Sequence, residues 1–189
     1  MGRSVEWDSQ IERDYLFYLE FDEDVIEYHP QPIKYKYTLN KKYRTHYPDF
    51  EVVRKSTSRK KFVEIKSKST TLKPEFIEKT AAIKAQMLSD GHDYMVVTDD
   101  DLRVKPILDN LKLLYRYIWE DRNPVKENAL IKTVKEHHAG NISLLDLRHL
   151  AENSGLALID CYASIARGEF EFDLNTSLGP ESILHVRAL

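Results

Sequence analysis

The sequence predicts an α/β fold, a central mixed β-sheet flanked by helices, with a smaller and mainly helical domain after it. Three observations predict it. Residues 46–54 and 61–67 are alternating runs on either side of a polar, basic connection. Residues 94–98, YMVVT, form a nearly unbroken apolar run behind a helical stretch. After residue 120 the pattern changes to short helical segments. Period-two alternation marks a strand with one apolar face, whereas a short continuous apolar run marks a strand covered on both.

The elements follow in order. Ser9-Gln10-Ile11-Glu12 has the spacing of a helix cap, and Ile11, Tyr15, Tyr18 and Leu19 recur at helical intervals, so a helix is expected over 9–21. After the acidic turn 22–24 come a short apolar piece (25–28), the turn His29-Pro30-Gln31-Pro32, and an alternating strand over 33–39. The runs 46–54 and 61–67 read as a hairpin. Pro74 stands at the first position of a helix over 76–88 closed by Asp90-Gly91, and the strand 94–98 follows. Pro106 opens a helix carrying Ile107, Leu111, Leu114, Tyr115 and Ile118 on one stripe. A boundary is expected at EDRNP, dividing the chain into domains 1–119 and 120–189. In the second, three helices (126–138, 143–152, 156–166), with Ser143 as a cap and Gly140 and Gly155 as breaks, precede a strand over 169–174. That order suggests a winged-helix-like domain.

The chain has 189 residues, 42% of them apolar, enough for a real core. Its one cysteine, Cys161, rules out an internal disulfide framework. The N-terminal decapeptide lacks the apolar region of a secretory leader, and no uncharged stretch approaches the roughly 20 residues that span a bilayer. No membrane role and a cytoplasmic location are expected. The net charge of -3 conceals an uneven distribution: residues 1–31 hold nine acids and two bases, and residues 34–68 hold twelve bases and three acids. A block of that sign attracts a phosphate backbone even on a mildly acidic protein.

The hairpin inside this block carries the chemistry. Folded about Ser56-Thr57, it sets Asp49 opposite Glu64 and Tyr47 opposite Lys66. Asp49, Glu64 and Lys66 then share one face, and Phe50, Val52, Val63 and Ile65 share the other. Two carboxylates suit a hard cation such as Mg²⁺, with Mn²⁺ as a substitute, that holds a scissile phosphate and an attacking water. Lys66 is placed to orient or deprotonate the water and to stabilise developing negative charge. Glu12, beside the apolar stripe of the first helix, is the candidate for a third carboxylate ligand. A solvated strand face or a helix cap would explain each residue alone; the joint occurrence points to phosphodiester hydrolysis.

Pro48-Asp49 with Glu64-Ile65-Lys66 resembles the PD-(D/E)xK nuclease pattern, whose core has the element order read above. More specifically, SQIERDYLFYLEFDEDVIEYHPQPIKYKY, HYPDFEVV, KKFVEIKSK, the helix before DGHDYMVVTD, and LRVKPILDNLKLLYRY resemble TnsA, the endonuclease subunit of heteromeric transposases. The resemblance covers roughly residues 4–119. It implies a restriction-endonuclease-like fold and a nuclease that cuts the 5′ ends of a transposon while a separate DDE transposase, TnsB, cuts and joins the 3′ ends. It also implies that Glu12, Asp49, Glu64 and Lys66 are the catalytic set, although some family members have Gln where this chain has Glu64. Double-stranded DNA at the transposon ends is the implied substrate; a stand-alone PD-(D/E)xK restriction or repair nuclease and a non-catalytic DNA-binding adaptor are the alternative readings. In the C-terminal domain, the helix LALIDCYASIARG offers almost no base-reading side chain before Arg167, and residues 120–189 hold eleven acids against seven bases. Protein docking is therefore expected there rather than DNA recognition, and the resemblance implies the AAA+ ATPase regulator TnsC as the partner. His137 and His138 point to different faces of a helix and read as a surface pair.

Overall fold

Helix α1, Gln10–Phe21, begins where its cap was read. The Ser9 hydroxyl accepts the Glu12 amide at 3.2 Å and donates to the Glu12 carboxylate at 2.9 Å, which satisfies one of the amides that a helix start leaves without a partner. The structure is a computed structural model describing residues 9–57 and 59–187. Residues 1–8, on which the expectation of no leader partly rests, lie outside the described residues, as does Ser58.

Strands β1 (Val25–Pro30), β2 (Tyr35–Leu39), β3 (Lys42–His46), β4 (Phe50–Arg54) and β5 (Lys61–Lys66) follow. Two of these depart from the sequence reading. The piece at 25–28 is a full strand that pairs antiparallel with β4, and residues 42–46, KYRTH, pair with β2 instead of remaining a connection. Four of the five residues of β3 are exposed, so it has no apolar alternation to betray it. After the short helix α2 (Lys68–Thr71) and helix α3 (Pro74–Ser89), β6 (Asp93–Thr98) pairs parallel with β5, and α4 (Asp99–Leu102) closes the segment. The sheet is mixed, in the order β1-β4-β5-β6, while β2 and β3 form a separate ribbon. A parallel pair needs a crossover, and α3 lies within it.

The hairpin register agrees with the sequence reading: Phe50 pairs with Val63, Glu51 with Phe62 and Val52 with Lys61. Its consequence is a two-sided core. Phe50, Val52, Val63, Ile65 and Val97 pack with Tyr15, Leu16 and Leu19 of α1. Phe62 and Tyr94, on the other face, pack with Ile83 and Met87 of α3 and with Tyr35 and Tyr37 of β2. The face that carries Glu64 is thus covered rather than solvated.

The chain divides into two units at Val104/Lys105, not near residue 120. Helix α5 (Ile107–Tyr115) belongs to the second unit. Asn110 of α5 is one tie to that unit: it is buried, and its side chain donates to the carbonyls of Leu174 and Thr176 at 3.1 and 2.7 Å and accepts the Leu178 amide at 3.0 Å. That tie runs between segments far apart in sequence, and composition does not announce it. The remaining elements are α6 (Pro124–His137), β7 (Asn141–Ser143), α7 (Leu144–Asn153), α8 (Leu158–Ala166), β8 (Phe170–Glu171) and β9 (Ile183–Val186). The last three strands form an antiparallel sheet in the order β7-β9-β8. Strands β7 and β9 were not foreseen; at three and four residues they are too short to show a period. No helix among the described residues is long and apolar enough to cross a membrane.

Phe50 is 1% exposed and meets Tyr15 and Tyr28 edge-on at centroid distances of 5.5 and 6.4 Å. Phe50→Ala is expected to cost about 3–5 kcal/mol of unfolding free energy, read from urea denaturation. Cys161 is fully buried, and burial pushes its thiol up to about 12. It is expected to resist alkylation in the native protein and to react once the second unit unfolds; rapid labelling without denaturant would contradict this packing.

Candidate active site

Asp49 precedes β4, and its backbone and side chain are both held. Its carbonyl accepts the Gln31 amide at 2.9 Å, and its Oδ2 accepts the Ile65 amide of β5 at 2.6 Å. Gln31 has φ of 43°, an uncommon value for a residue with a Cβ, at the turn where β1 ends beside Asp49. Glu64 and Lys66, two apart on β5, project to the same face. The Lys66 ammonium lies 3.4 Å from Asp49 Oδ2 and 3.3 Å from Glu64 Oε1, and donates to the Ile65 carbonyl at 2.9 Å. Three oxygens from three residues thus surround one cation.

Glu64 is the deepest of the group, its side chain 3% exposed. Its Oε1 also faces Lys79 of α3 at 3.9 Å. Its Oε2 lies 3.2 Å from His46 Nε2, which is equally 3.2 Å from the Tyr94 hydroxyl. The contact with His46 is ionic in distance without the alignment of a hydrogen bond, so Oε2 has no donor aimed at it. A buried carboxylate oxygen in that condition is a natural place for further coordination.

The charges are coupled. Burial raises the Asp49 carboxyl above its ordinary value; the neighbouring Glu64 adds to this, the Ile65 amide and Lys66 oppose it, and Glu12 contributes a smaller rise. Burial also acts to raise Glu64, but His46, Lys66 and Lys79 outweigh it and hold the carboxyl below the usual range. For Lys66, burial would lower the pKa, yet Glu64 and Asp49 outweigh it and raise it. Lys66 is therefore a firm cation near neutrality, suited to stabilising negative charge and unsuited to taking a proton in this arrangement.

Of the four residues singled out from sequence, three meet directly: Asp49, Glu64 and Lys66. Glu12 sits on α1, which packs on the opposite sheet face, and its carboxylate receives the Ser9 hydroxyl. Among the described residues, no three His, Cys, Asp or Glu side chains are gathered into a group that could hold a metal. The donor chemistry nevertheless fits a hard cation, because Asp49 and Glu64 both turn to the Lys66 side and Glu64 Oε2 is buried with no hydrogen-bond donor. His46 and Lys79 were missed. Their only sequence signal was position, His46 in the basic block and Lys79 on the predicted helix, and neither foretells contact with Glu64.

The sequence profile described as TnsA-like endonuclease N terminal matches residues 22–99. Residues 22–99 belong to the TnsA-like endonuclease family. The matched segment includes Asp49, Glu64 and Lys66 and leaves Glu12 outside. The PD-(D/E)xK pattern is consistent with this TnsA-like segment, which supports a nuclease of the TnsA type. No curated protein matches the chain.

Glu64→Gln would remove the charge that balances His46, Lys66 and Lys79. A loss of about 1–3 kcal/mol in stability at neutral pH is expected. Because the folded pKa of Glu64 lies below its unfolded value, its stabilisation is present above the unfolded pKa and is lost as pH falls through the folded one. The gap between variant and wild type should therefore narrow on acidification through the carboxylate range. Urea midpoints measured at neutral and acidic pH check this, and a gap that widens in acid would contradict it.

Proposed function

We propose that the chain is the metal-dependent DNA endonuclease subunit of a heteromeric transposase, cleaving the 5′ ends of a transposon during cut-and-paste transposition. The observation that carries this reading is the meeting of Asp49, Glu64 and the Lys66 ammonium at one point within the TnsA-like segment. Asp49 and Glu64 would hold Mg²⁺, or Mn²⁺ in its place, through hard carboxylate oxygens, while Glu12, capped by Ser9, would act on the site through its charge near Asp49. Such a cation, when bound, supplies charge neutralisation at the scissile phosphate and a more acidic water.

The protein's own groups do the rest. Lys66, kept charged by its acidic neighbours, stabilises the negative charge that develops on the phosphoryl oxygens, while Glu64 is kept ionised by His46 and Lys79. The Ile65 amide fixes the orientation of Asp49, so the pair is set before substrate arrives. Hydrolysis on this plan leaves 5′-phosphate and 3′-hydroxyl ends. The 3′ ends of the element fall to a separate DDE transposase, TnsB.

For the second unit we favour a winged-helix-like module that docks a protein, the AAA+ regulator TnsC. The order α6-β7-α7-α8-β8-β9 supports the module. Two features favour protein over DNA. Helix α8, in the place of a reading helix, is largely buried, and the Tyr117 ring beyond α5 stacks on Tyr162 at a centroid distance of 5.0 Å. Arg167, the one base-reading candidate at its end, has a side chain 13% exposed and faces Glu127 at 3.2 Å and Glu169 at 3.6 Å.

The test is strand-mapped cleavage of a supercoiled donor plasmid in Mg²⁺ by this protein with its cognate transposase. Asp49→Ala is expected to abolish the 5′-end cuts, by at least about a hundredfold, and to leave the 3′ nicks. Equal cutting of both strands by wild type and variant would remove the active site assigned here.

A further inference from the structure

The catalytic group accounts for only part of the basic block. Several of its cations have acidic partners: Arg54 meets Asp22 and Asp24, Lys60 meets Glu51, Arg59 meets Asp93, and Lys66 meets Asp49 and Glu64. The ribbon β2–β3 is different. From residue 34 to residue 48 there is no acid, and Lys34, Lys36, Lys41, Lys42 and Arg44 are all exposed. None of the five is ion-paired with a described residue. We propose that the β2–β3 ribbon is a DNA-binding arm, which seats on duplex DNA next to the cleavage point through contacts to the phosphate backbone.

The ribbon is built to present these groups. Asn40 and Lys41 both have positive φ, 53° and 62°, as a two-residue hairpin turn requires. The Asn40 side chain donates to Glu78 of α3 at 3.0 Å, and Tyr35 and Tyr37 bury against α3, so the inner face is anchored. Cross-strand pairing of Lys36 with Thr45 and of Thr38 with Tyr43 puts these four side chains on the opposite face, all exposed, while Arg44 and Lys42, paired with Tyr37 and Leu39, lie on the anchored face and are exposed there too, so the cations ring the ribbon. Lysines alone are a common guard on a ribbon edge and would need no ligand. Tyr43, left 90% exposed on the face of Lys36 and between Lys42 and Arg44 in the chain, does nothing for solubility, and an amphipathic ring beside cations suits contact with sugar and phosphate. A two-stranded ribbon is also of a size that the major groove admits.

The arm is rooted in the active site. Strand β3 ends at His46, whose ring contacts Glu64, and Asp49 follows three residues on. Five residues of strand at roughly 3.4 Å each carry the turn about 17 Å from that root. Along a duplex this corresponds to about five base pairs. The cations therefore flank the cut rather than surround it, and they bind without regard to sequence.

The inference rests on DNA as substrate, and its test is separated from catalysis by working in EDTA. The full chain is titrated into a fluorescent mixed-sequence duplex, with anisotropy followed from roughly 50 to 200 mM salt. The wild type is expected to bind with steep salt dependence. The triple variant Lys36→Ala/Lys42→Ala/Arg44→Ala is expected to bind about tenfold or more weaker, with a salt slope shallower by roughly 0.9 for each phosphate no longer neutralised. Lys36→Arg/Lys42→Arg should retain wild-type binding, and unchanged urea midpoints would confirm folding of all three proteins. Binding by the triple variant equal to wild type, or no binding by wild type at the lowest salt, overturns the arm. Neither result depends on the metal site, whose failure is read separately as 5′-end cleavage that survives Asp49→Ala.

Discussion

The antiparallel register between β4 and β5 is the constraint on which the rest depends. With Phe50 opposite Val63, the apolar residues Phe50, Val52, Val63 and Ile65 turn toward α1, while Glu64 and Lys66 turn toward α3. A slip of one residue would exchange the faces and drive two charges into the α1 core while exposing the apolar set to the other side. Core packing and site assembly are therefore enforced by the same pairing. The parallel partnership of β5 with β6 extends the effect, because it sets Glu64 beside Val96 and brings Tyr94 to the His46 ring.

A site held this way is unfavourable in electrostatic terms, and the arrangement shows how the penalty is offset. Removing a carboxylate from water costs several kcal/mol even after relaxation. One ion pair at the 3.3 Å separation of Lys66 and Glu64 contributes about 5 kcal/mol at an effective dielectric near 20, and less once the partial exposure of Lys66 is allowed for. The balance is close, so a second and third neighbour decide it. His46 and Lys79 supply them at Glu64, whose carboxyl falls below the ordinary range. Asp49 lacks that support, sits beside Glu64, and rises. The two carboxylates thus differ in proton affinity because they differ in neighbours, although the strands hold them side by side.

The division between what the sequence discloses and what it hides follows from range. Helix α1, α3, β5 and β6 are legible because caps, a proline start and periodicity are local signals. The convergence of Asp49, Glu64 and Lys66 is legible because one hairpin with a determinable register carries all three. Lys42–His46 is not legible as a strand, since four of its five residues face solvent and only the Asn40-Lys41 turn marks it. The role of His46 depends on that unseen strand and on its pairing with Tyr35. Lys79 depends on how α3 lies across the sheet. The membership of α5 in the second unit is equally hidden, because Asn110 meets partners more than sixty residues away.

The ribbon and the acidic group are linked through His46, and this bears on how binding and cleavage are related. His46 is the last residue of β3 and is 4% exposed, with its ring between Tyr94 and Glu64. Any force that moves the root of the arm moves the group that steadies Glu64. Interiors packed at crystal-like density do not absorb such shifts gradually, because each side chain has few alternative positions. An arm engaged with a duplex would thus act on the acidic group by restricting the positions of His46, and hence of the Glu64 oxygen that has no donor of its own. Coupling of this kind needs no change of fold. It requires only that the strand supplying the cations end at the residue supporting the carboxylate.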